Sequence, residues 1–132
     1  MSQPIATQSS GGICFAFPDT CLTPVPFVGT VPIPYPNLGD GGQATKISTS
    51  VKIGGKGIIL QDSDISSSSG DEAGTSGGIL SGKTMGKVTF KSYSSKVKVQ
   101  GKGVVRMGDT TLQNENNAVG TVLYGEAKVK GG

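Results

Sequence analysis

Histidine is absent from the 132-residue chain. That removes the Ser-His-Asp and Cys-His engines of nucleophilic catalysis. It also removes imidazole from any zinc site. Aromatic residues are scarce at 5%, and the apolar fraction is only 34%, which makes a thick globular core hard to build. Long helices are disfavoured by 22 glycines and seven prolines. No apolar run reaches the roughly 18 residues of a membrane-spanning helix. Residues 1–12 hold no basic patch followed by an apolar stretch, so no secretory signal peptide is visible and any export would take another route. Charge is sparse too, at 16% of residues and a net +3, unlike a strongly charged disordered tail. What remains is one thin, turn-rich β domain. The expected layout is a flexible arm over 1–12 and a single domain over 13–132.

The few charges are unevenly spread. Residues 1–45 carry Asp19 and Asp40 and no Lys or Arg. Lys87, Lys91, Lys96, Lys98, Lys102 and Arg106 follow one another with no acid between them. They read as solvated strand faces and protected edges, or as a surface for a polyanion or acidic partner. Cys14 and Cys21 are the two cysteines. They fit either two buried reduced thiols or a small disulfide loop. Alone they do not complete a tetrahedral zinc site.

Local signals follow in chain order. Ile13–Phe17 is a short apolar run ended by Pro18-Asp19, a turn signal. Pro18, Pro24, Pro26, Pro32, Pro34 and Pro36 then exclude a helix and a central strand, because each removes a backbone donor. An extended, polyproline-like strap is expected there. Lys46–Leu60 alternates Ile47, Thr49, Val51 and Ile53 with polar residues and reads as strand, broken at Gly54-Gly55. Residues 62–78 form a polar loop, either flexible or structured on the surface. Lys87–Tyr93, Lys96–Arg106 and Thr121–Val129 read as further strands.

One internal repeat stands out. Val51-Lys52-Ile53-Gly54-Gly55-Lys56-Gly57-Ile58-Ile59-Leu60 aligns with Val97-Lys98-Val99-Gln100-Gly101-Lys102-Gly103-Val104-Val105-Arg106, 46 residues later. The Gly-Lys-Gly triplets fall where tight hairpins would need positive φ. Two copies of one hairpin, plus a third divergent element, predict a pseudo-symmetric β structure with a shared core.

Catalytic patterns are weak. Gly77, then four residues, then Gly82-Lys83-Thr84 has Walker A spacing, but no strand precedes it and no helix follows. Asp62, Asp64, Asp71, Glu72 and Asp109 could serve acid–base chemistry. Loop acids more often cap turns. The expectation is a protein that is not an enzyme.

Several motifs carry a family resemblance. Phe17-Pro18-Asp19-Thr20-Cys21-Leu22-Thr23-Pro24 and Val31-Pro32-Ile33-Pro34-Tyr35-Pro36-Asn37 resemble the start of the PAAR-like proteins of type VI secretion systems. Gly70-Asp71-Glu72-Ala73-Gly74-Thr75 resembles the family in turn, as does Val97–Asp109, which contains Gly101, Lys102, Arg106 and Asp109, with Asn114 and Asn117 after it. The resemblance spans about 14–120. It implies a small cone of repeated β-hairpins on the end of a trimeric spike, one chain per trimer. Such a protein sharpens the tip, connects effectors to it, and passes from the cytoplasm to the exterior or a target cell with only transient membrane passage. Family members hold zinc near the point through His and Cys. Here the nearest positions are Ile59-Leu60, Phe90 and Asn117-Ala118, which cannot coordinate a metal, so no cofactor is expected. The competing readings are an effector toxin in its own right and a basic nucleic-acid-binding β domain.

Overall fold

The computed structural model describes residues 3–9 and 11–131, with side chains as far as Glu126. Its strands are β1 (Gln3–Ile5), β2 (Ile13–Val25), β3 (Gly29–Asp40), β4 (Ala44–Thr45), β5 (Lys52–Ile53), β6 (Lys56–Gly57), β7 (Asp64–Ile65), β8 (Val88–Phe90), β9 (Lys98–Val99), β10 (Lys102–Gly103), β11 (Thr110–Gln113), β12 (Ala118–Val122) and β13 (Glu126–Gly131). Among the described residues there is no α-helix, only a 3-10 turn over Gly41–Gln43. The fold is all-β, as the glycine and proline content predicts. The main sheet is antiparallel, in the order β3-β2-β12-β11-β8-β7-β4.

The predicted repeat is real. Lys52↔Gly57 and Ile53↔Lys56 pair in one hairpin, and Lys98↔Gly103 and Val99↔Lys102 pair in the other. The left-handed residues are Gly54-Gly55 and Gln100-Gly101, not the whole Gly-Lys-Gly triplets. Two consecutive positive-φ residues match the right-handed twist of a two-residue hairpin. Gly57 and Gly103 serve space instead. A Cβ on Gly57 would lie 2.8 Å from the Ser48 carbonyl oxygen, and one on Gly103 would collide with that of Ser94.

The third element comes from the two ends of the described chain. β1 pairs with β13 and leads into Ala6 as β6 leads into Ile59 and β10 into Val105. The Ala6 N–H donates to Val105 O at 2.9 Å, Val105 to Ile59 O at 2.9 Å, and Ile59 to Ala6 O at 3.1 Å. The cycle closes. A second ring repeats it two residues out: Gln8 N–H to Gly57 O, Gln61 N–H to Gly103 O, Met107 N–H to Pro4 O. Three bridges complete the set, Ile5↔Arg106, Thr7↔Ile58 and Leu60↔Val104. Strand alternation then splits the side chains. Ile5, Ile58 and Val104 join Leu60 in one buried cluster on the hairpin side. Ala6, Ile59 and Val105 join Cys14, Ile65, Val88, Phe90 and Val122 in another beneath the main sheet. Two thin cores replace the thick one the composition excludes.

Three expectations need correction. Residues 3–7 are not a loose arm: Ile5, Ala6 and Thr7 are buried as the third repeat. The polar flanks hide an apolar pair equivalent to Ile58-Ile59. Lys46–Val51 alternates but is not strand. Lys46 is left-handed at φ 55, and Ser48 turns the backbone inward by bonding Ile58 N–H through its Oγ. The proline-rich strap is a true β-hairpin of 13- and 12-residue strands. Its prolines avoid the ladder. Leu22 bonds outward to Gly77 and Ser76, and Thr20 O outward to Ile79. Their partners Pro32 and Pro34 therefore turn their donor-less nitrogens away from β2. Pro18 lies at a bulge between Ala16 and Asp19, after a cis Phe17-Pro18 bond.

Candidate functional site

The first candidate is a buried polar cluster under the base of the β2–β3 hairpin. β2 brings Asp19 and Cys21 to the same face, two residues apart. β3 adds Asn37, and the loop after β7 adds Ser68 and Asp71. The β11–β12 turn adds Asn114 and Asn117, held by three successive left-handed residues, Asn114, Glu115 and Asn116. Asp19, Cys21, Asn37, Asp71 and Asn114 are fully buried. Asp19 is the hub. It accepts from Asn37 Nδ2 at 3.2 Å, from Asn114 Nδ2 at 3.1 Å and from Asn117 Nδ2. The Cys21 thiol donates to it at 3.5 Å. Gln113 Nε2 donates to Asn37 Oδ1 at 2.8 Å, extending the network. Asp71 accepts from the Met85 N–H at 3.1 Å.

Burial is the main cause of the unusual proton affinities here. It raises the Asp71 carboxyl from 3.8 to about 7, helped by hydrogen bonding to Asp19. It pushes the Cys21 thiol up to about 12, helped by the charges of Asp19 and Asp71. Cys14, also buried and free, rises to about 12 through burial and then Asp40. Neither thiol is a neutral-pH nucleophile.

Asp19, Cys21 and Asp71 bring three ligand-type atoms within 4.8 Å of one another. The fit to zinc is poor. A structural zinc wants four ligands, with thiolate or imidazole among them. Here there are only three candidate ligand atoms, one thiol and two carboxylates, and Asp19 is already engaged by three amides. The set reads as a hydrogen-bonded core.

The sequence-flagged residues divide between two regions. Cys21, Asn37 and Asp71 meet in the cluster. Gly70 and Gly74 let their loop lie against the hairpin: a Cβ on Gly70 would collide with Pro36 O, and one on Gly74 with Cys21 Cβ. Glu72 accepts from Gly70 N–H at 2.7 Å, and Thr75 is exposed. Pro24, Pro32, Pro34 and Pro36 line the exposed face of the hairpin. Gly101, Lys102, Arg106 and Asp109 belong to the three-fold region instead. Lys102 pairs with Asp62 at 2.8 Å, and Arg106 with Asp109 at 2.8 Å. Asp64 accepts from the Thr45 hydroxyl at 2.7 Å. In the Walker-like loop, Asn117 Oδ1 takes the N–H groups of Leu80 and Ser81, and no helix follows Thr84. Sequence reasoning overlooked Asp19 as the hub and Gln113 beside it. The amide-rich run 113–117 was the available signal.

The second candidate is the closed three-fold ring itself. Two hairpins and one strand pair from one chain, related by a cycle of hydrogen bonds, match the repeat architecture that the motif resemblance implies. The toxin PAAR-like domain family matches residues 12–120. The chain belongs to that family. It is thus a PAAR-like protein of type VI secretion systems. This PAAR-like chain is also 41% identical over 112 residues to the DNase toxin Tse7 of Pseudomonas aeruginosa, covering 80% of this chain and 29% of that protein. The chain thus spans less than a third of the relative it matches. No solved structure matches it. The relative corrects one expectation. It is named for an enzyme activity, so the reading of this PAAR-like chain as a protein outside enzymes does not stand.

Proposed function

We propose that this PAAR-like domain seats on the end of the trimeric spike of a type VI secretion machine, one chain per trimer, and carries toxin effectors outward with it. The observation that carries the reading is the closed ring of Ala6, Ile59 and Val105. A symmetric trimer offers three identical contact sets on one axis. A single chain meets all three only if it repeats one element three times about that axis. The hairpins β5–β6 and β9–β10 and the pair β1–β13 supply those elements, so they form the seat. On the same reading the domain tapers away from the seat as a cone and helps pierce the target envelope. The domain folds without zinc in this reading, because the cluster offers only three ligand atoms and amides already occupy Asp19. Elemental analysis finding one zinc per chain would refute that part.

A second reading rests on the DNase toxin relative. On that reading the 132-residue chain itself acts as a toxin on DNA. Plasmid incubated with the protein and a divalent cation tests it: cleavage supports the reading, and intact plasmid rejects it. The seat is tested by weighing a mixture with the cognate spike protein.

A further inference from the structure

The β2–β3 hairpin continues beyond its attachment to the body. Its last backbone bonds to the rest of the fold on the β2 side are those of Leu22 with Ser76 and Gly77. Among the described residues, no hydrogen bond joins Thr23–Pro36 to anything outside the hairpin. Five residues from Thr23 to Phe27 at about 3.3 Å each reach roughly 15 Å past that point.

Three features of this ribbon point the same way. Residues 20–39 contain no charged side chain. The turn presents Phe27, fully exposed, and Val28 at 70% exposure. Phe27 sits at φ 65 after Pro26, with Val28 N–H bonded to Val25 O at 3.1 Å. Those are the features of a type II turn, whose third position favours Gly or Asn. An aromatic kept there, strained and bare to water, serves something other than folding.

The edges supply the third feature. Leu22, Pro24, Thr30, Pro32 and Pro34 occupy the outward-facing positions of the ladder. Three of the five have no N–H, and Leu22 N–H is already bonded to Gly77. Along the ladder only Thr30 is left to present an amide, and in the turn only Phe27. Protection against strand addition explains missing donors on its own. It does not explain the exposed Phe27. A bilayer explains both, since each unsatisfied donor is costly away from water. The outward carbonyls remain, which confines the ribbon to the interfacial zone, where water still reaches them. Interfacial elements lie about 5–10 Å deep, within the ribbon's reach.

We infer that the tip of the β2–β3 hairpin, led by Phe27 and Val28, inserts into the interfacial layer of a lipid bilayer. The inference is independent of the spike seat. With no charge on the ribbon, binding is insensitive to salt and to anionic lipid.

The chain has no Trp, so Phe27→Trp gives a clean probe in the full chain. Phosphatidylcholine vesicles should shift its emission to the blue, and brominated acyl chains should quench it. A Leu123→Trp control, at an exposed site off the ribbon, should do neither. Phe27→Asp, at a fully exposed turn and checked for folding by circular dichroism, should lower vesicle partition at least tenfold. An unshifted Phe27→Trp spectrum at saturating lipid overturns the inference and leaves Phe27 to a protein pocket. Equal shifts at both positions, or binding lost in moderate salt, also overturn it.

Discussion

Ser63 and Asp109 stand 46 residues apart and do the same job. Ser63 Oγ accepts the Leu60 N–H at 2.9 Å, and Asp109 Oδ2 accepts the Arg106 N–H at 2.7 Å. Each closes the strand that leaves its repeat hairpin. Asp109 does more, because its carboxylate also receives Arg106 Nε at 3.0 Å and Nη2 at 2.8 Å. Asp109→Ala should cost about 1–3 kcal/mol, since a partly buried backbone donor and a partly buried guanidinium both lose this acceptor. Asp109→Ser, copying the other repeat, should restore the backbone cap and recover part of that loss. Urea unfolding of the three proteins measures it. Equal losses for Ala and Ser would deny the equivalence.

Asp19 should be the most sensitive polar position in the domain. Asp19→Ala leaves the amides of Asn37, Asn114 and Asn117 without their shared acceptor in a buried site. The expected loss is about 3 kcal/mol or more. A change below about 1 kcal/mol in chemical denaturation would show that the network is not cohesive.

Asp71 gives the domain a pH dependence of definite sign. Its folded carboxyl is raised to about 7 from 3.8. The stability it supports is complete below the unfolded value and is lost as pH rises through about 7. Thermal unfolding should therefore shift down as pH rises from about 4 to about 7 and level off above that. Asp71→Asn keeps an acceptor for Met85 N–H and cannot ionise, so it should flatten that slope. A slope unchanged by the substitution would assign the dependence elsewhere.

The repeat glycines should respond differently. Gly103→Ala puts a Cβ 2.6 Å from Tyr93 Cδ1 and into the Ser94 carbonyl. It should cost about 1–3 kcal/mol by overpacking. Gly54 has open space and φ 58, and Gly54→Asn creates the favoured Asn-Gly turn. Its change should stay within about 0.5 kcal/mol. Melting temperatures of both variants decide it. Similar losses would contradict the division between turn and contact glycines.

The parts legible in the sequence were local and repeated. Val51–Leu60 and Val97–Arg106 announced their hairpins because alternation and paired turn residues lie within ten positions. The third repeat was not legible. Ile5-Ala6 finds its return strand in β13, at the far end of the described chain, and no local pattern encodes that pairing. Lys46–Val51 misled for the opposite reason: its alternation is local, but Ser48 bonds Ile58 through its N–H and Oγ and donates its hydroxyl to Val51 O. The cluster was half visible. Asp19, Cys21, Asn37, Asp71, Asn114 and Asn117 all stand in recognisable motifs, yet Asp19 beside Pro18 reads as a turn residue. Its burial depends on Asn114 and Asn117, which are 95 and 98 positions away.

The most direct test of the account is the mass of the complex with the cognate trimeric spike protein, measured by light scattering on the purified mixture. The three-fold ring predicts one trimer plus a single chain of 13.3 kDa. Three chains per trimer, or a folded chain that forms no complex, would contradict it.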